Sequence, residues 1–220
     1  MAFFIPNYMQ FLPEEIDNYS LIHTEREPRL LAELNRETWA NVMTPRMLSG
    51  HLQGRMLSMF SKMLMPKNIL EIGTYTGYSA LCLAEGLKKD GSLHTIDINE
   101  EYVFLAKKYF QRSDYSEQII QHIGNAVNIL PDIKESFQLA FIDADKENYS
   151  TYFDLIIQKI DVGGYIIADN VLWSGKVLKK DKDKETLSLD QYNKKVLDDT
   201  RLETILLPIR DGLMVSRKVK

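Results

Sequence analysis

Cysteine is almost missing from this 220-residue chain, where Cys82 stands alone. That excludes an intrachain disulfide and a thiolate metal cluster, and it points to a reducing setting. Basic charge is not in excess either: 27 Lys and Arg face 31 Asp and Glu, a net charge of −4. The electrostatic footprint of a nucleic-acid binder is therefore absent. No stretch approaches the ~18 uncharged apolar residues of a membrane span. The apolar start, MAFFIPNYMQFLPEEID (1–17), lacks a basic leading region and is broken by Pro6 and Pro13 ahead of Glu14, Glu15 and Asp17, unlike a secretory signal. A soluble, cytoplasmic protein is expected, with no nucleic-acid or membrane partner. Internal repeats and low-complexity linkers are also lacking. With 45% hydrophobic and 26% charged residues the composition is globular, and the length predicts a single domain.

The pattern changes along the chain. Residues 13–60 read as helices, with Leu30, Leu31, Leu34 and Thr38 at helical spacing and Glu27, Arg29, Glu33 and Arg36 as a solvated face. From 66 to 220 short apolar runs alternate with helical stretches. The strand-like runs are NILEI (68–72), LHTIDI (93–98), QIIQHI (118–123), LAFIDA (139–144) and YIIADN (165–170), with helical patterns at 79–89, 100–111 and 149–160. Such alternation predicts right-handed crossovers and a parallel, doubly wound α/β sheet. At the end, RLETILLPI (201–209) and LMVSRKV (213–219) are joined by Arg-Asp-Gly. A turn that short permits only an antiparallel pair, so one edge strand is expected to run reversed. In these sheets ligands sit outside the carboxyl ends of the strands.

The first strand ends in Glu71-Ile72-Gly73-Thr74-Tyr75-Thr76-Gly77-Tyr78-Ser79. Two glycines permit a tight turn and close approach to a ligand. The spacing matches neither the G-x-G-x-x-G of dinucleotide sites, which removes a nicotinamide dehydrogenase, nor a P-loop. Glu71 would repel a pyrophosphate but suits a cationic or hydroxyl-rich ligand. Asp97, 24 residues after Gly73, ends the second strand, where an acidic residue accepts from ribose hydroxyls. Together they describe a nucleoside site without phosphate machinery, and S-adenosylmethionine is such a ligand. The plainer alternative is that the glycines only turn the chain and Asp97 caps a helix.

The fourth strand ends in Asp143-Ala144-Asp145-Lys146 and the fifth in Asp169-Asn170. Neighbouring strands bring Asp143, Asp169 and Asn170 together, and clustered carboxylates repel unless a cation neutralises them. Two carboxylates with an amide carbonyl form an all-oxygen set, which selects Mg²⁺, Mn²⁺ or Ca²⁺ over zinc. The alternatives are helix N-caps for the aspartates and a surface ion pair for Lys146.

These segments resemble a family. LEIGTYTGYSAL (70–81), HTIDINEEY (94–102), FIDADKENY (141–149), GGYIIADNVLWSG (163–175) and LPIRDGLMVSRK (207–218) are similar to the cation-dependent, S-adenosylmethionine-dependent O-methyltransferases of the caffeoyl-CoA and catechol type. The resemblance implies a seven-stranded Rossmann-like class I methyltransferase domain over residues 1–220, with a helical segment at 1–60 and the α/β core at 66–220. It implies Asp143, Asp169 and Asn170 as ligands of a divalent cation and Lys146 as general base. It places Glu71 and Asp97 at the cofactor's polar ends, Gly73, Thr74, Tyr75 and Ser79 along its methionine side, Ala126 near adenine and Asp145 at a further contact. Ser49 falls in the cofactor-covering segment. Ser174 stands where plant members carry a substrate-contacting Asn, and the insert 176–192 does not match theirs; its charges predict a solvated loop.

The expected reaction is methyl transfer to a hydroxyl of a vicinal dihydroxyaromatic. Trp173, beside the metal ligands, is either a wall for the acceptor ring or a core aromatic. A competing class is a non-catalytic nucleoside-binding module, with Met43, Met47, Met56, Met59, Met63 and Met65 as an adaptable interface. Phe3, Phe4, Ile5, Tyr8, Met9, Phe11 and Leu12 are too apolar to leave wet, which predicts a homodimer.

Overall fold

The structure, a computed structural model, describes residues 12–220. The N-terminal cover is helical as expected. α1 (Glu14–Ile22) and α2 (Arg29–Asn41) lead through a single 3-10 turn to α3 (Gly50–Leu64). In α2 the residues at helical spacing turn inward, with Leu31, Leu34 and Thr38 buried. The apolar residues at 3–11 on which the homodimer expectation rests lie outside the described residues. Leu12 is exposed.

The core is one seven-stranded sheet in the order β3-β2-β1-β4-β5-β7-β6. Its strands are β1 (Asn68–Ile72), β2 (Ser92–Asp97), β3 (Ile119–Ile123), β4 (Phe137–Ile142), β5 (Ile160–Ala168), β6 (Leu202–Leu207) and β7 (Leu213–Lys218). The first five are mutually parallel, and β7 runs antiparallel to both β5 and β6. Helices cover both faces. Leu70, Ile72, Ile96, Ala140 and Ile142 pack toward α6 (Ala126–Ile129), α7 (Tyr149–Ile156) and α8 (Lys184–Asp198). Ile69, Leu93, Leu139 and Phe141 pack toward α2, α3, α4 (Tyr78–Ala84) and α5 (Val103–Gln111). Strands buried on both faces explain why the runs read as continuous apolar stretches rather than alternating ones.

Two expectations are corrected. The reversed strand is not at the edge: β7 is inserted between β5 and β6, and β6 forms the border. Burial decides this, since Leu213, Met214 and Ser216 on β7 are all buried while Glu203 and Ile205 on β6 face solvent. The insert at 176–192 is not a solvated loop throughout. From Lys184 it is the first part of α8, whose Thr186, Leu189, Tyr192 and Val196 are buried at spacings of three and four. Asp183 caps it, accepting the Thr186 N–H at 2.8 Å. The lysines and acids between those positions form the wet face of an amphipathic helix.

Candidate functional site

The carboxyl ends of β1–β5 form one rim, and backbone hydrogen bonds carry the strand pairing just past the strand ends. The Gly124 N–H donates to Asp97 O at 2.8 Å, Gly73 to Ile96 O, Asp143 to Ile72 O and Asp169 to Ile142 O, each at 2.9 Å. Asp97, Gly73, Asp143 and Asp169 therefore stand in that order along the rim. Gly73 takes φ +105°, and a Cβ there would meet the Asp143 carbonyl oxygen at 2.0 Å. Only glycine lets the loop after β1 lie against the loop after β4.

Tyr75 follows with φ +48°. Its backbone N–H donates to Asp97 Oδ2 at 2.7 Å, and its hydroxyl to the Thr44 carbonyl at 2.9 Å. Asp97 also accepts the Asn99 N–H through Oδ1 at 2.9 Å. It thus organises both loops, and each carboxylate oxygen keeps a second lone pair for a ligand hydroxyl. Glu71 is fully buried and accepts the Thr95 hydroxyl at 2.5 Å; that hydroxyl also meets Thr74 Oγ1 at 2.5 Å. Its other oxygen, Oε1, has no partner among the described residues. Burial pushes the Glu71 carboxyl up to about 8, and the charges of Asp143 and Asp97 add to the effect. A buried acid with an orphaned oxygen fits a cationic group brought by a ligand.

The other cofactor candidates line the same rim or its cover. Thr74, Ser79 and Ala126 are buried, Ala126 as the first residue of α6. Asp145 is exposed, accepting from Asn148 Nδ2 at 2.6 Å and the Tyr152 hydroxyl at 2.5 Å. Ser49 is buried immediately before α3, its carbonyl accepting from Arg210.

Lys146 brings the metal candidates together. Its Nζ donates to Asp143 Oδ1 at 3.1 Å, Asn170 Oδ1 at 2.7 Å and the Tyr149 hydroxyl at 2.8 Å. At 7% exposure it is not a surface ion pair. The N-cap alternative fails as well, since Asn148 and not Asp143 precedes α7, and Asp169 accepts the N–H of its own neighbour Asn170 at 2.7 Å. Asp169 is buried, and burial together with the Asp143 charge holds its carboxyl above the usual range. Among the described residues no three His, Cys, Asp or Glu side chains gather as a metal group. The donor set depends on the Asn170 amide as its third oxygen. Two crowded carboxylates and one carbonyl fit a hard divalent cation.

Trp173 stands between the core and the lysines at the rim. It packs partly against the core beneath α7 and α8, yet its ring lies 5.7 Å from Lys146 Nζ and 5.4 Å from Lys176 Nζ. Its Nε1 has no partner among the described residues. Asn170, Trp173 and Ser174 all adopt left-handed backbone, a concentration typical of ligand-facing loops. Sequence reasoning missed three residues here. Tyr149 and Arg210 lay inside motifs already singled out. Gln53, which donates to Asp169 Oδ2 at 2.6 Å, lies in the loosely matching segment 47–57 around Ser49, where nothing marked it out.

Comparison with known proteins identifies the family and the fold. The O-methyltransferase family model matches residues 21–219. Caffeoyl-CoA O-methyltransferase from Eucalyptus gunnii is 34% identical over 211 residues, covering 89% of this chain and 83% of its own. Caffeoyl-CoA O-methyltransferase 2 from Zea mays is 35% identical over 208 residues, covering 89% and 78%. Among solved structures, the Podospora anserina methyltransferase PaMTH1 bound to S-adenosylhomocysteine superposes with a TM-score of 0.87 at 26% identity, over 96% of this chain and 99% of that one. The Bacillus cereus O-methyltransferase with S-adenosylhomocysteine gives 0.86 at 25%, over 93% and 97%.

Proposed function

The chain belongs to the O-methyltransferase family, and from that premise we propose that it moves the methyl group of S-adenosylmethionine to one hydroxyl of a catechol-like acceptor with the help of a divalent cation. The observation that carries this reading is the buried Lys146 side chain, whose Nζ is held between Asp143 and Asn170, one strand away from the Gly73 loop.

In the proposed complex the orphaned Glu71 Oε1 receives the cofactor's ammonium and Asp97 its ribose hydroxyls. Gly73, Thr74, Tyr75 and Ser79 line the methionine side, Ala126 borders the adenine, and Ser49 and Asp145 complete the contacts. The cofactor would supply a methyl already activated on a sulfonium, the carbon–sulfur electron pair leaving with sulfur as the acceptor oxygen takes the carbon. Asp143, Asp169 and Asn170 would hold Mg²⁺ or Mn²⁺, which would supply Lewis acidity and a template for two neighbouring hydroxyls. A free phenol titrates near pH ~10, so little is nucleophilic at neutral pH. Lys146, within reach of Asp143 and Asn170, takes the phenolic proton as general base in its neutral amine form, becoming the ammonium. Trp173 flanks the acceptor ring. In-line placement supplies the remainder of the acceleration.

A chelator should abolish turnover of a catechol, and Mg²⁺ or Mn²⁺ should restore it. Full turnover in excess chelator would remove the cation from the reaction. The family membership speaks against a purely non-catalytic nucleoside module.

We also propose a homodimer in the cytoplasm. Ile16, Tyr19 and Ile22 of α1 and Met59 and Met63 of α3 are all more than half exposed or at that limit, and no helix among the described residues is long and apolar enough to cross a membrane. A monomeric mass by light scattering at micromolar concentration would rule the dimer out.

A further inference from the structure

Asp169 is held by both of its oxygens. The Asn170 backbone N–H donates to Oδ1 at 2.7 Å, and Gln53 Nε2 donates to Oδ2 at 2.6 Å. Gln53 comes from α3, 116 positions earlier in the chain, and is 1% exposed. An amide presents an oxygen on one side and donors on the other, so its orientation decides whether it supports or repels a carboxylate. Arg210 settles that orientation. Its Nη1 donates to Gln53 Oε1 at 2.5 Å, and a guanidinium has donors only. With its oxygen committed to Arg210, Gln53 must turn its NH₂ toward Asp169. Arg210 also donates to the Ser49 and Leu48 carbonyls. It sits in the turn between β6 and β7 at φ +51°, a conformation that residues with a Cβ seldom adopt. Three elements far apart in sequence thus converge on one carboxylate.

We propose that Gln53, oriented by Arg210, is a positioning residue that fixes the Asp169 carboxylate for the divalent cation. The assignment rests on the metal reading given above. One lone pair on each Asp169 oxygen is used by these donors, and the others remain for a cation. Without Gln53 the carboxylate keeps only the Asn170 N–H, and the remaining ordering must be supplied on binding. Partners of this kind are typically worth 10–100-fold in metal affinity.

The test is Mn²⁺ titration of the full-length protein by calorimetry, with thermal melting of each variant alongside. Gln53→Met preserves bulk but removes the donor, and Mn²⁺ should bind about 10–100-fold more weakly. Arg210→Met leaves Gln53 in place but frees its amide, so affinity should fall in the same direction. Arg210→Lys, again a pure donor, should restore it. At saturating Mn²⁺ the turnover of Gln53→Met should recover most of its loss, because affinity and not chemistry is affected. A purely structural role predicts the opposite pattern, a lower melting temperature with unchanged Mn²⁺ affinity, and that result overturns the proposal. Should Gln53→Met fail to fold, the exposed position of Arg210 keeps its variants available, and an unchanged Mn²⁺ affinity in Arg210→Met would refute the orienting role. Absence of Mn²⁺ binding by the wild-type chain would overturn the metal reading itself and this assignment with it.

Discussion

Cofactor affinity should rise with pH across the neutral range, because Glu71 has to surrender a proton before it can receive an ammonium. Its carboxyl is pushed up to about 8 by burial in the ligand-free protein. At pH 7 the group is therefore mostly protonated, and ionising it costs on the order of 1 kcal/mol. The ligand's ammonium stays mostly charged up to about pH 7.5, since α-amino groups titrate near 8. Between pH 6 and 7.5 the dissociation constant of S-adenosylhomocysteine should fall close to tenfold per pH unit, with nearly one proton released per ligand bound. Calorimetry at pH 7 in two buffers of different ionisation enthalpy measures that proton directly. Glu71→Gln, which carries no proton to release, should bind more weakly and with a flat profile. A wild-type affinity unchanged from pH 6 to 7.5, with no proton released, would show that Glu71 does not face the ammonium. The same group predicts a stability trend. Its folded value is raised above the ordinary 4.5, so the native state keeps a proton that the unfolded chain gives up. That contribution is complete below about pH 4.5 and is lost as the pH climbs toward 8. The ligand-free melting temperature of Glu71→Gln should fall less over that window than that of wild type.

Lys146→Ala should lower maximal turnover by about 10²–10⁴-fold, the usual worth of a positioned general base. Lys146→Arg should not rescue it, because a guanidinium does not give up its proton near pH 7; near wild-type turnover in Lys146→Arg would end the base assignment. A catechol acidic enough to be ionised already should lose much less in the alanine variant. Asp97→Ala removes the acceptor at the end of β2 and should weaken S-adenosylhomocysteine binding by about 1.5–3 kcal/mol. An unchanged dissociation constant there would place the ribose elsewhere. Leu189→Ala, in the buried face of α8, should destabilise by about 2–5 kcal/mol in urea unfolding; an effect below about 0.5 kcal/mol, the range of surface substitutions, would mean the segment does not pack as described.

Much of the site was legible because its chemistry sits where local pattern and topology coincide. Short apolar runs separated by helices dictate a parallel sheet, and a parallel sheet puts every strand's last residue on one rim. Hence Glu71, Gly73, Asp97, Asp143, Asp169 and Asn170 could be grouped from the chain alone. The β6–β7 pairing was equally legible, since a short turn allows nothing but an antiparallel partner. Where that hairpin docks was not. The insertion of β7 beside β5 depends on which of two similar strands has both faces to bury, a property of the assembled layers. The charged insert was misread for a related reason. Leu189, Tyr192 and Val196 are sparse among lysines and acids, and they mark a core face only once α7 is there to receive them.

The tertiary structure alone decided three further matters. It buried Lys146, which spacing left open as a surface residue. It buried Glu71 and left its Oε1 without a partner among the described residues, and that burial displaced the ionisation of a short acidic motif. And it joined Gln53, Arg210 and Asp169, which have no sequence relation because hydrogen bonds between α3, a hairpin turn and a strand end leave no period to detect. The sequence by itself determined the strand-and-helix order and the chemistry along the rim, since both follow from local periodicity and chain connectivity. The ionisation and orientation of those groups came from burial and from side-chain partners, 116 residues away in the case of Asp169, which exist only in the folded chain.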